Sequence, residues 1–279
     1  MSSNNSGNDL IELARNGDIK AFHELFTEVK DKMRAYLYRI VTNRDDVEDL
    51  VHDTFVKGFD SIKTFRRESS INTWLFSIAT HLAINQLKNG RPWPIDILDR
   101  AKEEATRSKK IRDYLWRASE NQQGTFDIIE HIDFCFTCIS KTIVLEQQVT
   151  LLLVDVFDFK IKEVAVILEK SEAAVKHYLR KGRHTMANTF EMRCALVNKK
   201  GACHQCSQLN SWFNPRQKEQ EAIVRQKFEN VARDSNLLEV RELLIKSIDP
   251  LKAKGTLLHE AFMNLHRKCA GEIKELKPL

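Results

Sequence analysis

Apolar side chains in this chain recur three and four residues apart over most of its length, and that spacing commits it to helices. Between Asp9 and Val41, the residues Leu10, Leu13, Ala14, Ala21, Phe22, Leu25, Phe26 and Val29 fall on one side of a helical hairpin, with Asp9 as its expected N-cap. Nine glycines and five prolines in 279 residues leave few places where such helices can break. We therefore expect an all-α protein. A hydrophobic content of 42% over this length suffices for two or three modest cores.

A second helix is expected to start near Asp45, where early acids suit a helix N-terminus, turning Val47, Leu50, Val51, Thr54, Phe55 and Phe59 inward. The segment 65–72 reads as a loop, and Thr73 to about Lys88 as a third helix. Arg91-Pro92-Trp93-Pro94 ends that helix, because proline has no amide proton and biases its predecessor away from helix. The charged, polar stretch from Ile95 to Gly124 reads as a connector. A second helical domain follows, with an apolar helix from Val144 to Phe157, a short one from Ile161 to Leu168, a turn at Lys170 and Ser171, and a long basic helix to about Met192. Beyond Cys206, residues 217–234, 237–248 and 257–276 look helical or amphipathic, and form an extension that clamps the second domain, regulates it or buries apolar surface. The expected division is 9–92, a linker 93–125, a second domain 126–196 and the extension 197–279.

Charge is unevenly placed. Lys170, Lys176, Arg180, Lys181, Arg183, Arg193, Lys199 and Lys200 face only Glu172 and Glu191 in one segment, whereas Asp45, Asp46, Glu48, Asp49 and Asp53 crowd a single acidic helix. Two partners of opposite charge are implied: a nucleic acid for the basic segment and a basic protein surface for the acidic one. The N-terminus has neither the basic nor the apolar region of a secretory leader, and no apolar run is long enough to span a bilayer, so a cytoplasmic protein without membrane contact is expected.

Val164, Ala165 and Leu168, then Val175 and Leu179, give the packing pattern of a helix-turn-helix with Ser171 as cap of its second helix. Two ordinary core helices would show the same spacing, and the basic segment behind it favours DNA.

The run 46–55, Asp-Val-Glu-Asp-Leu-Val-His-Asp-Thr-Phe, followed by 65–79, Phe-Arg-Arg-Glu-Ser-Ser-Ile-Asn-Thr-Trp-Leu-Phe-Ser-Ile-Ala, resembles region 2 of the sigma-70 family. The segment 144–186 resembles region 4, with Ile161-Lys162-Glu163-Val164-Ala165 in place of Tyr-Lys-Glu-Ile-Ala and Ala174-Val175-Lys176 in place of a Thr-Val-Lys core. The two-region form, with no region 3 between, is similar to the extracytoplasmic-function group. The resemblance implies a factor that binds core RNA polymerase and directs promoter-specific initiation. Asp46, Glu48, Asp49 and Asp53 would dock on the polymerase clamp. Phe65, Arg66, Arg67, Asn72, Trp74, His81 and Lys88 would open and read the minus-ten element, a task that needs aromatic stacking and cations; Trp74 is equally a core residue. Glu172, Ala173, Lys176, His177 and Arg180 would reach base edges of the minus-thirty-five element, with Lys181 and Arg183 on phosphates. An anti-sigma protein is a further partner that the resemblance allows. The chain departs from the pattern at His52, usually glutamine, at Thr80-His81, usually Arg-Asn, at Asn85, usually an acid, and at Asp158 and Glu169, where glycine is common.

Two Cys-x-x-Cys pairs, Cys135/Cys138 and Cys203/Cys206, flank the helix-turn-helix, with Cys194 and Cys269 left over. A structural zinc shared by the pairs, a redox-sensing dithiol and unrelated buried thiols all remain open, with no cofactor required for the expected function. No nucleophile and base pair, phosphate loop or carboxylate dyad stands out, which argues against an enzyme. A stand-alone helix-turn-helix regulator, metal- or redox-responsive, is the alternative, and a pure protein-interaction module is a third reading; neither needs the acidic helix and melting loop together.

Overall fold

Side-chain caps set the ends of the first helices. The computed structural model describes residues 3–88, 90–120, 128–193, 237–252 and 256–278, with isolated positions 222 and 226. Every regular element among them is helical. Helix α1 spans Ser3–Arg15 and α2 spans Ile19–Val41. Asp9 lies inside α1 and is not the cap expected for it; the cap of the hairpin's longer helix is Asp18, whose carboxylate accepts from the amides of Lys20 at 2.8 Å and Ala21 at 3.2 Å. Asn43 caps α3 (Arg44–Ser61) by accepting from Asp46 N at 3.0 Å. Ser70 caps α4 (Ile71–Leu87) through Thr73 N at 3.0 Å.

The chain divides into two packed units, 1–89 with 149–179 and 90–148 with 180–279. In the first, α1 lies on α2 while α2, α3 and α4 pack on one another. Phe22 is fully buried at their centre, its ring 5.2 Å from Phe55 and 5.6 Å from Phe59. Gly58 permits this approach: a Cβ there would stand 2.8 Å from the tip of Phe22 and 3.1 Å from Leu75. Tyr36, also fully buried, shares a 2.9 Å hydrogen bond with Thr80, and burial pushes its phenol well up from the usual range.

Helix α8 (Leu145–Leu151) continues into one π-helical turn, Leu152–Val156, closed by Phe157 N donating to Leu152 O at 3.0 Å. After it come α9 (Ile161–Leu168) and α10 (Glu172–Arg193). Within the first unit, Phe157 meets Tyr36 edge-on at 5.5 Å, Phe159 meets Phe76 at 4.8 Å, and α9 packs along α4.

In the second unit the stretch read as a polar connector is helical: α5 spans Ile97–Arg107 and α6 spans Lys109–Glu120. Ile97, Leu98 and Ala101, then Ile111 and Ala118, are buried, a helical period that the surrounding charges mask in the sequence. Helix α7 covers Ile128–Ser140. Of the extension, α11 (Leu237–Lys246) packs on α7, and α12 (Thr256–Cys269) packs on α5, α6 and α7. The extension thus buries apolar surface: Leu258, Ala261, Phe262 and Met263 form one core with Trp93, Ile97, Leu98 and Phe134. The helix expected over 217–234 lies outside the described residues, apart from its positions 222 and 226.

Past α12, Glu272 gathers three donors. It accepts from the Trp93 indole at 2.6 Å, lies 3.2 Å from Lys141 Nζ and 3.1 Å from Arg267 Nε, and these cations hold its carboxyl below the usual range against the upward push of burial. Lys141, itself buried, also stands over the Trp93 ring at 5.3 Å.

Candidate promoter and polymerase interface

On α3 the apolar residues Val47, Leu50, Val51 and Thr54 turn inward, which leaves Glu48, Asp49, His52 and Asp53 exposed and Asp46 half-buried. All four expected clamp-binding acids therefore share the outward side of one helix. Arg34 of α2 donates to Glu48 at 2.9 Å through Nε. A partly exposed pair of this kind is worth little and yields to a stronger partner. Sequence reading missed Arg34, because nothing along the chain links it to a residue fourteen positions later on another helix.

The loop before α4 is more selective than expected. Phe65 is buried, its ring 5.3 Å from half-buried Trp74, so it walls the core and does not point to solvent. The cause is local: a single 3-10 turn at Ile62–Thr64, with Phe65 N donating to Ile62 O at 3.0 Å, rolls the ring inward. Arg66 and Arg67 are exposed beyond it. Arg67 adopts a left-handed backbone with φ of 60° and reaches Glu12 at 2.6 Å. Lys88 is exposed at the end of α4, and Asn72 and His81 are half-buried. The Asn72 side-chain oxygen is buried without a hydrogen-bond partner. His81 Nδ1 lies 3.5 Å from Ser77 Oγ.

The helix-turn-helix is built as its spacing demands. Glu163 accepts from the Lys160 amide at 2.8 Å to start α9, and Glu169 ends it in a left-handed conformation with φ of 52°. Ser171 Oγ accepts from Ala174 N at 3.2 Å, which starts α10. Val175, Leu179, Gly182 and Met186 line the buried side of α10, so Glu172, Ala173, Lys176, His177, Arg180, Lys181 and Arg183 are all exposed. Glu172 sits 3.9 Å from Lys176, one turn away. Gln147, Arg180, Lys181, His184 and Thr185 line an open basic hollow of about 620 Å³. Gln147, His184 and Thr185 were not singled out in the sequence, although His184 follows Arg180 by one helical turn.

Cys135, half-buried, and Cys138 both lie on α7. Cys138 is fully buried, 3.9 Å from Met263 Sδ, and burial pushes its thiol well up. Cys203, Cys206 and Cys194 lie outside the described residues. Among the described residues no group of three or more His, Cys, Asp or Glu is placed to hold a metal ion, and no helix is long and apolar enough to cross a membrane.

These features match known proteins in the same places. Sigma-70 region 2 matches residues 25–92, which hold α3, the loop and α4, and sigma-70 region 4 matches residues 145–186, which hold α8, α9 and most of α10. The ECF RNA polymerase sigma-E factor of Haemophilus influenzae is 35% identical over 130 residues, covering 44% of this chain and 68% of that relative. The chain belongs to the sigma-70 family, in its extracytoplasmic-function (ECF) group. Among its other relatives, the ECF sigma factor SigW of Bacillus subtilis is 30% identical over 82 residues, 29% of this chain and 44% of the relative. SigG of Mycobacterium tuberculosis is 26% identical over 189 residues, 64% of this chain and 50% of the relative. This sigma factor thus spans about half the length of those last two. Among solved structures, the sigma factor RpoE of Bartonella quintana, in complex with the anti-sigma factor NepR, is 19% identical with a TM-score of 0.43, covering 61% of this chain and 97% of that one.

Proposed function

We propose that this sigma factor binds core RNA polymerase in the cytoplasm through the outward side of α3 and directs initiation at promoters carrying minus-ten and minus-thirty-five elements, with no enzymatic step of its own. The observation that carries the reading is the pairing, in one chain, of an exposed acidic helix with a helix-turn-helix whose outward side is basic. Asp46, Glu48, Asp49 and Asp53 steer and orient the factor on a basic surface of the enzyme. Arg66, Asn72, Trp74, His81 and Lys88 take the minus-ten strand. Lys176, His177 and Arg180 meet base edges of the minus-thirty-five duplex, while Lys181 and Arg183 meet phosphates. Phe65 supports the loop from behind. An anti-sigma protein, of the kind seen with the Bartonella relative, would act by covering these surfaces.

Gel filtration of the purified chain with bacterial core polymerase, alongside DNA binding by each component and by the mixture, tests this. We expect co-elution with the enzyme and sequence-selective binding by the mixture. Selective, tight binding by the chain alone, without co-elution, would instead indicate a stand-alone operator binder.

A further inference from the structure

Helix α1 lies outside the segment that matches sigma-70 region 2, which begins at residue 25, yet it reaches the loop before α4. Ile11 and Ala14 are buried and seat α1 on α2, and α1 also packs on the 3-10 turn at Ile62–Thr64. That seating brings Glu12 to the loop, where its Oε1 accepts from Arg67 Nη2 at 2.6 Å. Arg15, one turn along α1, donates to the same oxygen at 3.4 Å. The loop needs a hold of this kind. Burial of Phe65 fixes its start, and the Ser70 cap on α4 fixes its end. Arg66, Arg67, Glu68 and Ser69 span the gap between, and none of them is buried. At Arg67 the backbone is left-handed, with φ of 60°, a conformation uncommon for residues other than glycine that persists where the surroundings enforce it. A guanidinium carries its donors in a rigid plane, so a carboxylate on one edge sets the direction of the whole group. Because the chain turns at Arg67, fixing that residue also fixes the direction of exposed Arg66 beside it.

We propose that Glu12 and Arg67 form a brace for promoter opening: from a helix outside region 2, Glu12 holds the turn at Arg67 and thereby aims Arg66 at the minus-ten strand. Both are positioning residues. Arg67, which the sequence suggests as a DNA contact, meets Glu12 in place of the DNA. This role rests on the promoter-reading function proposed above. Both side chains are exposed, at 55% for Glu12 and 38% for Arg67, so the pair adds little to the stability of the fold. Its effect is expected on the loop.

The test measures the rate of strand opening by the holoenzyme, using a fluorescent base analogue in the minus-ten element of a promoter that it transcribes. Glu12→Gln should slow opening about two- to five-fold, the worth of one exposed ion pair, with thermal midpoint and co-elution with polymerase unchanged. Arg67→Glu should slow it at least as much. The reversed pair, Glu12→Arg with Arg67→Glu, restores the brace and should return opening to within about two-fold of wild type. Opening at the wild-type rate in Glu12→Gln would overturn the proposal. A reversed pair as slow as Arg67→Glu alone would also overturn it and would assign Arg67 to the DNA. A wild-type holoenzyme that opens no promoter would instead defeat the promoter-reading function itself, and the role of Glu12 with it.

Discussion

At the level of single residues, the departures from the family pattern turn into measurable strain. Asp158 and Glu169 stand where glycine is common, and both take left-handed backbone, with φ of 61° and 52°. Asp tolerates that region better than Glu, because its short side chain can bond locally. Glu169→Gly should therefore stabilise the protein by about 0.5–1 kcal/mol, less the entropy that glycine adds to the unfolded chain, read as a rise in thermal midpoint larger than that of Asp158→Gly. Gly58 is the reverse case. Alanine gains about 1 kcal/mol in helix propensity, but its Cβ would meet the tip of Phe22 at 2.8 Å. Phe22 is fixed by Phe26, Phe55 and Phe59, so overpacking of about 1–3 kcal/mol prevails and Gly58→Ala should lower the midpoint. His266 is fully buried, with Nδ1 2.6 Å from the carbonyl of Phe262 and its ring 5.4 Å from Phe134. Burial holds its pKa down to about 4, from 6.5. The unfolded chain then binds the extra proton between those values, so stability is complete above pH 6.5 and falls as pH drops toward 4. The loss is about 3 kcal/mol. His131, pushed down by burial and by His259 and His266, adds to it in the same direction. Denaturation midpoints from about pH 7 to about pH 4 should fall in wild type and fall less in His266→Phe.

At the level of elements, the sequence carried most of the helices and the positions of the candidate site residues on them, but not what each side chain faces. α9 and α10 fall where Val164, Leu168, Val175 and Leu179 place them, because i, i+3 and i+4 spacing survives any packing partner. The linker helices were hidden for a different reason: Ile97, Leu98 and Ala101 carry the period, but five charged residues between Asp99 and Glu104 dominate the local composition. Phe65 was misplaced because a 3-10 turn sets its direction, and such a turn leaves no periodic trace. Function divides along the same elements. Lys176→Ala with Arg180→Ala should weaken promoter binding by about 1–3 kcal/mol for each base-edge hydrogen-bonding group removed, measured by DNA titration of the holoenzyme, with co-elution unchanged. Reversing Glu48 and Asp49 to lysine should impair association with core polymerase first, most strongly at low salt. Unchanged association would remove α3 from the polymerase interface.

On the scale of the whole molecule, chain order and packing order diverge. Residues 149–179 pack with 1–89, while the linker helices, α7 and the extension share the other unit. Reading along the chain cannot find such an exchange, since every contact that creates it is long-range: Phe76 with Phe159, Ser77 with Ile167, Trp93 with Glu272. Both units serve one claim, that this chain places RNA polymerase on promoters. Transcription by bacterial core polymerase on a genomic DNA library, with start sites mapped with and without the protein, tests it most directly. We expect protein-dependent starts that share two spaced motifs upstream and that vanish with Glu48 and Asp49 reversed. An unchanged set of starts, from a polymerase that the protein demonstrably binds, would contradict it.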